Sequence, residues 1–519
     1  MKNISILIIL VISLSVQLFG QSLEDFAEEK NMPDPKEFSF IGYYLMRYEL
    51  VNYAPENEFF KGQVVGRLFG GNTTYTMDDD FARFGEQRFL GMLTYSPRLF
   101  DGWAKMRLAF EIDWTLGTGN YSAGGNFGGA FGADAVNIQT QNLFFEFNPN
   151  IQLYVNAGLL RLYDNIKVPY YTGTADLINT GYRLAFFGSD ASGIAAHYFF
   201  KSNQRIKAGA YQLYENNVDH DDDVLLFELD YEYDIDIFNS IGFSLYYLND
   251  DGSSQNGGGE GGVSILGQGL NSALSNYNGV ANFNFGDETY NADIFWLGSH
   301  FHGNPILHQG RFGYSGFVMA NFGNAKSKSH DVSIMGGAAN LRAAYKYGKN
   351  IHDYISLDLI ATTGDTANID DGKYTGILTG NNWTSPGAVW FSHGCLLLLP
   401  HGDVVNRFNA AVVDIQNMGY GLLAGVLKGS YDYIPNKLRF EAAVGAGFSP
   451  IAPYGGGNMI GTELNAGVVY SPRVFMDLEL KGAYLSLGDF FDSEITNGGM
   501  ESRPTNPWKI ILSLKWIMF

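Results

Sequence analysis

The chain has 519 residues, 46% hydrophobic and 15% aromatic, with 64 glycines and only 17% charged residues. That is too apolar for disorder, and no linker-like shift in composition divides it into the several domains a soluble chain of this length would form. A formal net charge of −21 argues against nucleic-acid binding, which needs basic surface to displace counterions.

The N-terminus, MKNISILIILVISLSVQLFGQ, offers Lys2, an apolar run from Ile4 to Phe19, and Gly20 before Gln21. It reads as a secretory signal peptide over 1–20, cut after Gly20. Residues 21–37 are then a short periplasmic segment, and 38–519 form the rest. The sole cysteine, Cys395, leaves no lipid-attachment cysteine, no internal disulfide and no Cys-x-x-Cys-His haem site. No cofactor is expected. Beyond the leader no apolar run approaches the ~20 residues of a membrane helix; Cys395 to Leu399 is the nearest.

What recurs is period-two alternation. In WAKMRLAFEIDWTLG (103–117), Met106, Leu108, Phe110, Ile112 and Trp114 oppose Lys105, Arg107, Glu111 and Asp113. At 225–234 Leu225, Phe227, Leu229, Tyr231 and Tyr233 oppose Glu228, Asp230, Glu232 and Asp234. At 438–446 the oily set opposes Arg439 and Glu441, and at 474–481 it opposes Asp477, Glu479 and Lys481. Strand-like runs also cover 38–49, 61–70, 86–95, 138–147, 151–161, 191–200, 204–213, 238–249, 290–301, 309–320, 333–347, 352–363, 418–430, 461–470 and 508–519. Most are longer than the ~5–6 residues of globular strands and match the ~9–11 of tilted membrane strands.

Tight connections (Ser96-Pro97-Arg98, Asn148-Pro149-Asn150, Lys201 to Asn203, Gly348 to Asn350, Pro435-Asn436, Ser471-Pro472-Arg473) alternate with long ones at 116–137, 162–190, 250–289, 364–417 and 489–507. Short turns on one side and long loops on the other are the pattern of outer-membrane barrels. The last strand, WKIILSLKWIMF, sets Trp508, Ile510, Leu512, Leu514, Trp516 and Met518 against Lys509, Ser513 and Lys515. It resembles the C-terminal signal strand of bacterial outer-membrane proteins, with Phe519 displaced into the polar register.

A soluble sandwich would not need export, long strands, asymmetric loops and a terminal aromatic together. In lipid, a charge on the outer face costs ~2–4 kcal/mol at mid-depth, which enforces the segregation strand by strand. The expected fold is all-β, a transmembrane antiparallel up-and-down β-barrel in the outer membrane of a Gram-negative-type bacterium. The runs number 19 against an even expectation, so one is misassigned, near 38–75 or within 364–417; 18 strands are expected, with 16–20 as the range. A barrel of that size leaves an aqueous channel.

The expected pore lining is Arg47, Arg67, Arg88, Lys105, Arg107, Glu111, Asp113, Arg161, Arg205, Lys207, Glu228, Asp230, Glu232, Arg439, Glu441, Asp477, Glu479 and Lys481. Basic residues on the first strands and acids near the ninth either set up a transverse field or pair locally, as Arg107 with Glu111. Loop 162–190, with Asp164, Lys167, Tyr170 and Tyr171, either folds inward as a constriction or packs above the rim. Asp78 to Asp80 and Asp219 to Asp223 match no defined calcium loop. His300, His302, His393, Cys395 and His401 form no convincing metal set, and no serine or carboxylate constellation points to an enzyme.

NLFFEFNPNIQLYVNAGLLRLYDN (142–165) and VFMDLELKGAYLSLGDFFD (474–492) resemble the alginate-export and related substrate-specific porins. That group forms 18-strand channels for acidic sugars or small anions. The resemblance implies passive diffusion of small polar or charged solutes, possible sugars or organic anions among them. Its alginate members have a strongly basic lumen, which Glu228, Asp230, Glu232, Asp477 and Glu479 dilute here, so the solute stays open. Expected partners are outer-membrane lipid, lipopolysaccharide and the barrel-assembly machinery, the last through the strand ending in Phe519. The alternative is a plugged barrel acting as an adhesin or scaffold through loops 250–289 and 364–417.

Overall fold

The computed structural model describes residues 37–53, 65–69, 74–115, 137–161, 190–214, 223–251, 283, 285, 288, 290–304, 307, 309–366, 369–378, 394–399 and 409–518. The leader, most of the N-terminal segment and Phe519 lie outside them. Eighteen strands form the wall. They are β1 (Phe38–Val51), β2 (Ala82–Tyr95), β3 (Ala104–Thr115), β4 (Asn137–Asn150), β5 (Leu153–Arg161), β6 (Asp190–Lys201), β7 (Gln204–Tyr214), β8 (Val224–Asp234) and β9 (Asn239–Asp250). The second half comprises β10 (Tyr290–Gly303), β11 (Phe312–Ser327), β12 (Asp331–Lys346), β13 (Tyr354–Thr362), β14 (Leu423–Ile434), β15 (Leu438–Phe448), β16 (Met459–Arg473), β17 (Met476–Leu487) and β18 (Trp508–Met518).

Each wall strand pairs antiparallel with its neighbours in sequence, and β1 closes the ring on β18 from Gly42↔Met518 to Val51↔Lys509. Closure matters because lipid offers no partner for an unpaired backbone edge. The nineteenth run, 61–70, is not in the wall. Its Val65–Arg67 pairs in parallel with Asn409–Ala411 as a separate two-stranded piece, so Arg67 belongs to no wall strand. A second short piece, Lys373–Tyr374, adds in parallel to β12.

The even-numbered connections, such as 151–152 between β4 and β5 and 435–437 between β14 and β15, are short and share one end; most of those at the other end are long. One loop-side connection breaks that pattern. β11 and β12 run on as 16-residue strands and meet across only 328–330. At the turn end Asn436 (φ 57°) and Phe475 (φ 69°) take left-handed conformations that let the hairpins reverse in so few residues.

Alternation separates two faces. Outward side chains such as Phe145, Leu464, Leu480 and Leu512 are more than half exposed, while Arg47 and Glu86 on the inner face are 1% and 0% exposed. Stacked aromatics Phe227, Tyr247, Phe295 and Phe322 cross the outer faces of β8 to β11. On β18, Trp508 and Trp516 bracket Ile510, Leu512 and Leu514. Eight residues at ~3.4 Å give ~27 Å along a strand, or ~20 Å along the axis at ~40° tilt, close to the ~25 Å apolar band of such barrels.

Leu480 sits at the middle of that band, in register with Val468 and Leu512 on the flanking strands. Leu480→Arg is expected to lower the folding free energy into bilayers by ~2–4 kcal/mol. Reversible urea titration of the refolded barrel measures it; an unchanged midpoint would mean that this face does not meet lipid.

Candidate functional site

The inner wall is divided along the barrel axis. On most strands the side chains near the turns are charged and those near the loops apolar, as β8 shows: Val224 and Leu226, then Glu228, Asp230, Glu232 and Asp234. On β1 and β2 the order reverses, with Tyr43, Leu45 and Leu90 toward the turns and Arg47, Glu49 and Glu86 toward the loops. Glu463 and Lys509 are buried charges at the loop ends of β16 and β18.

The charged belt consists of local ion-pair clusters that recur around the ring. Arg47 on β1 reaches Glu49 at 2.8 Å and Glu86 of β2 at 2.5 Å. Arg107 on β3 holds Glu146 of β4 through Nε at 2.8 Å and Nη2 at 3.2 Å. Lys105 is buried on the same face, and Arg88 lies on the inner face of β2. Lys207 on β7 pairs with Glu228 of β8, whose carboxylate also accepts the hydroxyls of Tyr211 (2.5 Å) and Tyr246 (2.9 Å). Asp230 is 3.9 Å from the same lysine. Arg205 lies 2.8 Å from Asp234 and 3.7 Å from Glu232. Further round, Arg342 and Asn340 of β12 bond Asp358 of β13. Glu441 takes Arg439 at 2.6 Å and Lys428 at 3.4 Å. Glu479 takes Lys481 at 3.0 Å and Lys515 at 3.1 Å, while Asp477 accepts the Ser471 hydroxyl.

The basic residues of the first strands therefore do not form an unneutralised wall facing an acidic one. Arg107 takes Glu146 as partner, and nothing is described of the Glu111 side chain. By backbone register Glu111 and Asp113 sit opposite Leu90 and Arg88, and Arg161 ends β5; these three side chains lie outside the described residues. So does the whole of 162–189, with Asp164, Lys167, Tyr170 and Tyr171. Sequence reasoning missed Glu49, Glu86, Glu146, Arg342, Asp358 and Lys428. The first two share inward parity with Arg47 and Arg88 of the expected lining, and parity was signal enough to find them.

The loop-side half is packed, where an open channel was expected. The described parts of the connection 363–422 (363–366, 369–378, 394–399 and 409–422) turn into the barrel. Tyr374, Ile377, Leu378, Leu396 to Leu399, Val412, Val413 and Ile415 are buried in one apolar cluster with Trp296 and Ile294 of β10, Ile334 of β12 and Phe490 and Phe491. The indole Nε1 of Trp296 donates to Leu378 O at 3.0 Å, and the Leu378 amide donates to Asn321 Oδ1 at 3.1 Å. Val412 and Val413 donate to Leu397 and Leu398 carbonyls. Burying a leucine is worth ~1.5–3 kcal/mol, so the four from Leu396 to Leu399 drive this run inward strongly.

Histidines in the belt have ordinary partners. His302 shares a hydrogen bond with the Ser240 hydroxyl at 3.0 Å, and His300 Nε2 is 4.0 Å from Glu232. Among the described residues no three His, Cys, Asp or Glu side chains converge as a metal site; His393 and His401 lie outside them, and Cys395 is buried.

A closed, even-numbered antiparallel barrel with an apolar outward band is the architecture of bacterial outer-membrane barrels, and the chain has that fold. No family model matches the sequence, and no curated protein does. Among solved structures the chain is similar to Pseudomonas aeruginosa OpdL (10% identity, TM-score 0.47, covering 93% of this chain and 99% of that one). It is also similar to P. aeruginosa OccK9 (OpdG), at 13% identity and TM-score 0.46 over 93% and 99%, and to a BenF-like porin from Pseudomonas fluorescens Pf-5, at 11% and 0.46 over 92% and 99%. At these values the likeness carries no weight for the solute; the fold rests on the strand pairing.

Removing one member of a buried pair strands the other charge. Lys207→Met is expected to destabilise the barrel by ~3–5 kcal/mol, and adding Glu228→Gln to recover most of it. Urea titrations of both single variants and the double variant close the cycle; additive losses would mean that the two side chains do not interact.

Proposed function

We propose that the chain is a narrow outer-membrane channel for passive diffusion of small polar or charged solutes. The observation that carries this reading is the belt of paired charges lining the inside of a closed 18-strand barrel. Charges inside a membrane-embedded wall are useful where water and solute pass, because they replace part of a solute's hydration while its size is sorted. The residues of the belt, from Arg47 and Arg88 through Lys105, Arg107, Arg205, Lys207, Glu228, Asp230 and Glu232 to Arg439, Glu441, Asp477, Glu479 and Lys481, are the proposed pore lining. Glu111, Asp113 and Arg161 join it by strand parity. The inward run Gly394–Leu399 and its described neighbours in the connection 363–422 are the proposed constriction from the loop side. Because the charges are locally neutralised, the belt favours polar solutes generally, with sugars and organic anions the first classes to try. Lipopolysaccharide at the outer rim and the barrel-assembly machinery at β18 are its proposed partners.

A second reading has its own support. Arg47, Glu49, Glu86, Glu463 and Lys509 are each no more than 1% exposed, so the inner face of β16, β18, β1 and β2 is covered at their level. A permanently plugged barrel presenting its loops as a scaffold would look the same there.

Single-channel recording of the refolded mature protein in a planar bilayer separates the two. Discrete, reproducible open steps are expected, with a small reversal potential under a salt gradient as befits a balanced belt. Silence from a protein shown to be folded would overturn the channel and leave the scaffold.

A further inference from the structure

The inward run Gly394–Leu399 is tied to the wall by two side chains of β16, Glu463 and Asn465. Glu463 projects from β16 into the barrel and is fully buried. Its Oε1 accepts the Leu396 amide at 2.7 Å, and its Oε2 accepts the Leu397 and Leu398 amides at 2.9 and 2.7 Å. Two residues along, Asn465 donates through Nδ2 to Gly394 O at 2.6 Å and to Glu463 Oε1 at 2.8 Å. Three successive backbone N–H groups converging on one anion form a nest. Here the anion is supplied by the wall and the nest by the loop. Gly394 (φ 84°) takes the left-handed turn that starts the nest.

We infer that Glu463 is the positioning residue of the constriction: its carboxylate, oriented by Asn465, holds the backbone of Leu396 to Leu398 against the inner face of β16 and thereby sets how far the run reaches into the passage. This rests on the channel reading. The leucines alone would keep the run inside the barrel, since apolar burial has no direction. Charge-assisted bonds to three consecutive amides fix where it lies. No other described wall side chain receives three successive amides of this run.

Glu463→Gln keeps the shape of the side chain but leaves one acceptor oxygen. Amide hydrogen exchange at 396–398 is expected to quicken by about tenfold or more in the folded variant. Single-channel conductance should rise about twofold with more open-channel noise, while the folded band on a semi-native gel stays unchanged. Asn465→Ala, which leaves the charge in place, should move both readouts the same way by less and serves if the glutamine variant does not fold.

A rescue distinguishes positioning from general loosening. A Cβ on Gly445 of β15 would lie 2.6 Å from Cys395 Sγ, so Gly445→Cys offers a thiol to the same run. Oxidation of that pair in the Glu463→Gln background should return conductance to the parental value, and reductant should release it. Unchanged exchange in both variants would overturn the anchor. Quickened exchange without a change in conductance would overturn its role in setting the passage. A silent parent protein would overturn the channel reading and the passage together, with exchange still deciding whether Glu463 holds the run.

Discussion

Charge has nowhere to go in this molecule but inward. A closed barrel in lipid satisfies its backbone by pairing every strand, and that pairing gives each side chain only two directions. Lipid refuses charge on one of them. Every ionisable group that a wall strand carries within the apolar band is therefore gathered on the inner surface, and those far from water must find partners there. The clusters from Arg47–Glu86 to Glu479–Lys515 are the result. They also explain why a net charge of −21 is a poor guide to the lumen: the inner belt is neutralised pair by pair.

That constraint decides which parts of the structure were legible beforehand. Face assignment needs only parity, and parity is written into strands such as Val224–Asp234 and Trp508–Met518. The all-β class, the barrel and its 18 strands followed from the same pattern plus the asymmetry of the connections. The superfluous run, 61–70, carries strand-like residues because it is an inner strand; its partner Asn409–Ala411 lies over 300 positions away, beyond any local signal. Ion-pair partners were harder than faces. Arg107 lies opposite Phe144 and reaches diagonally to Glu146, a choice set by the register between β3 and β4 and disturbed by the irregularity after Ala109. Within-strand spacing, which suggested Glu111, says nothing about that register.

The inner surface is not uniformly polar, and this is where parity misleads. On β10 the inward residues are Ile294 and Trp296 toward the loops but His300 and His302 toward the turns. On β17 they run Asp477, Glu479 and Lys481, then Ala483, Leu485 and Leu487. Strands that are apolar on both faces over half their length lose their alternation there.

The two-zone wall in turn accounts for the loop that enters it. An apolar inner surface open to water would be as unfavourable as an exposed patch on a soluble protein, and it selects apolar loop segments to cover it. Cys395 to Leu399 is such a segment, too short to span a bilayer and too oily to stay above one. Its capture follows from the inner face of β15 and β16, where Cys395 and Leu398 lie over Gly445 and Gly447, and apolar burial by itself needs no specificity. Specificity enters where a charge stands within the covered zone. There Glu463, an acid at the loop end of its strand, converts a non-directional burial into a fixed backbone position. On the channel reading, the width of the passage is therefore set within the covered zone, by hydrogen bonds from a loop backbone to one wall carboxylate.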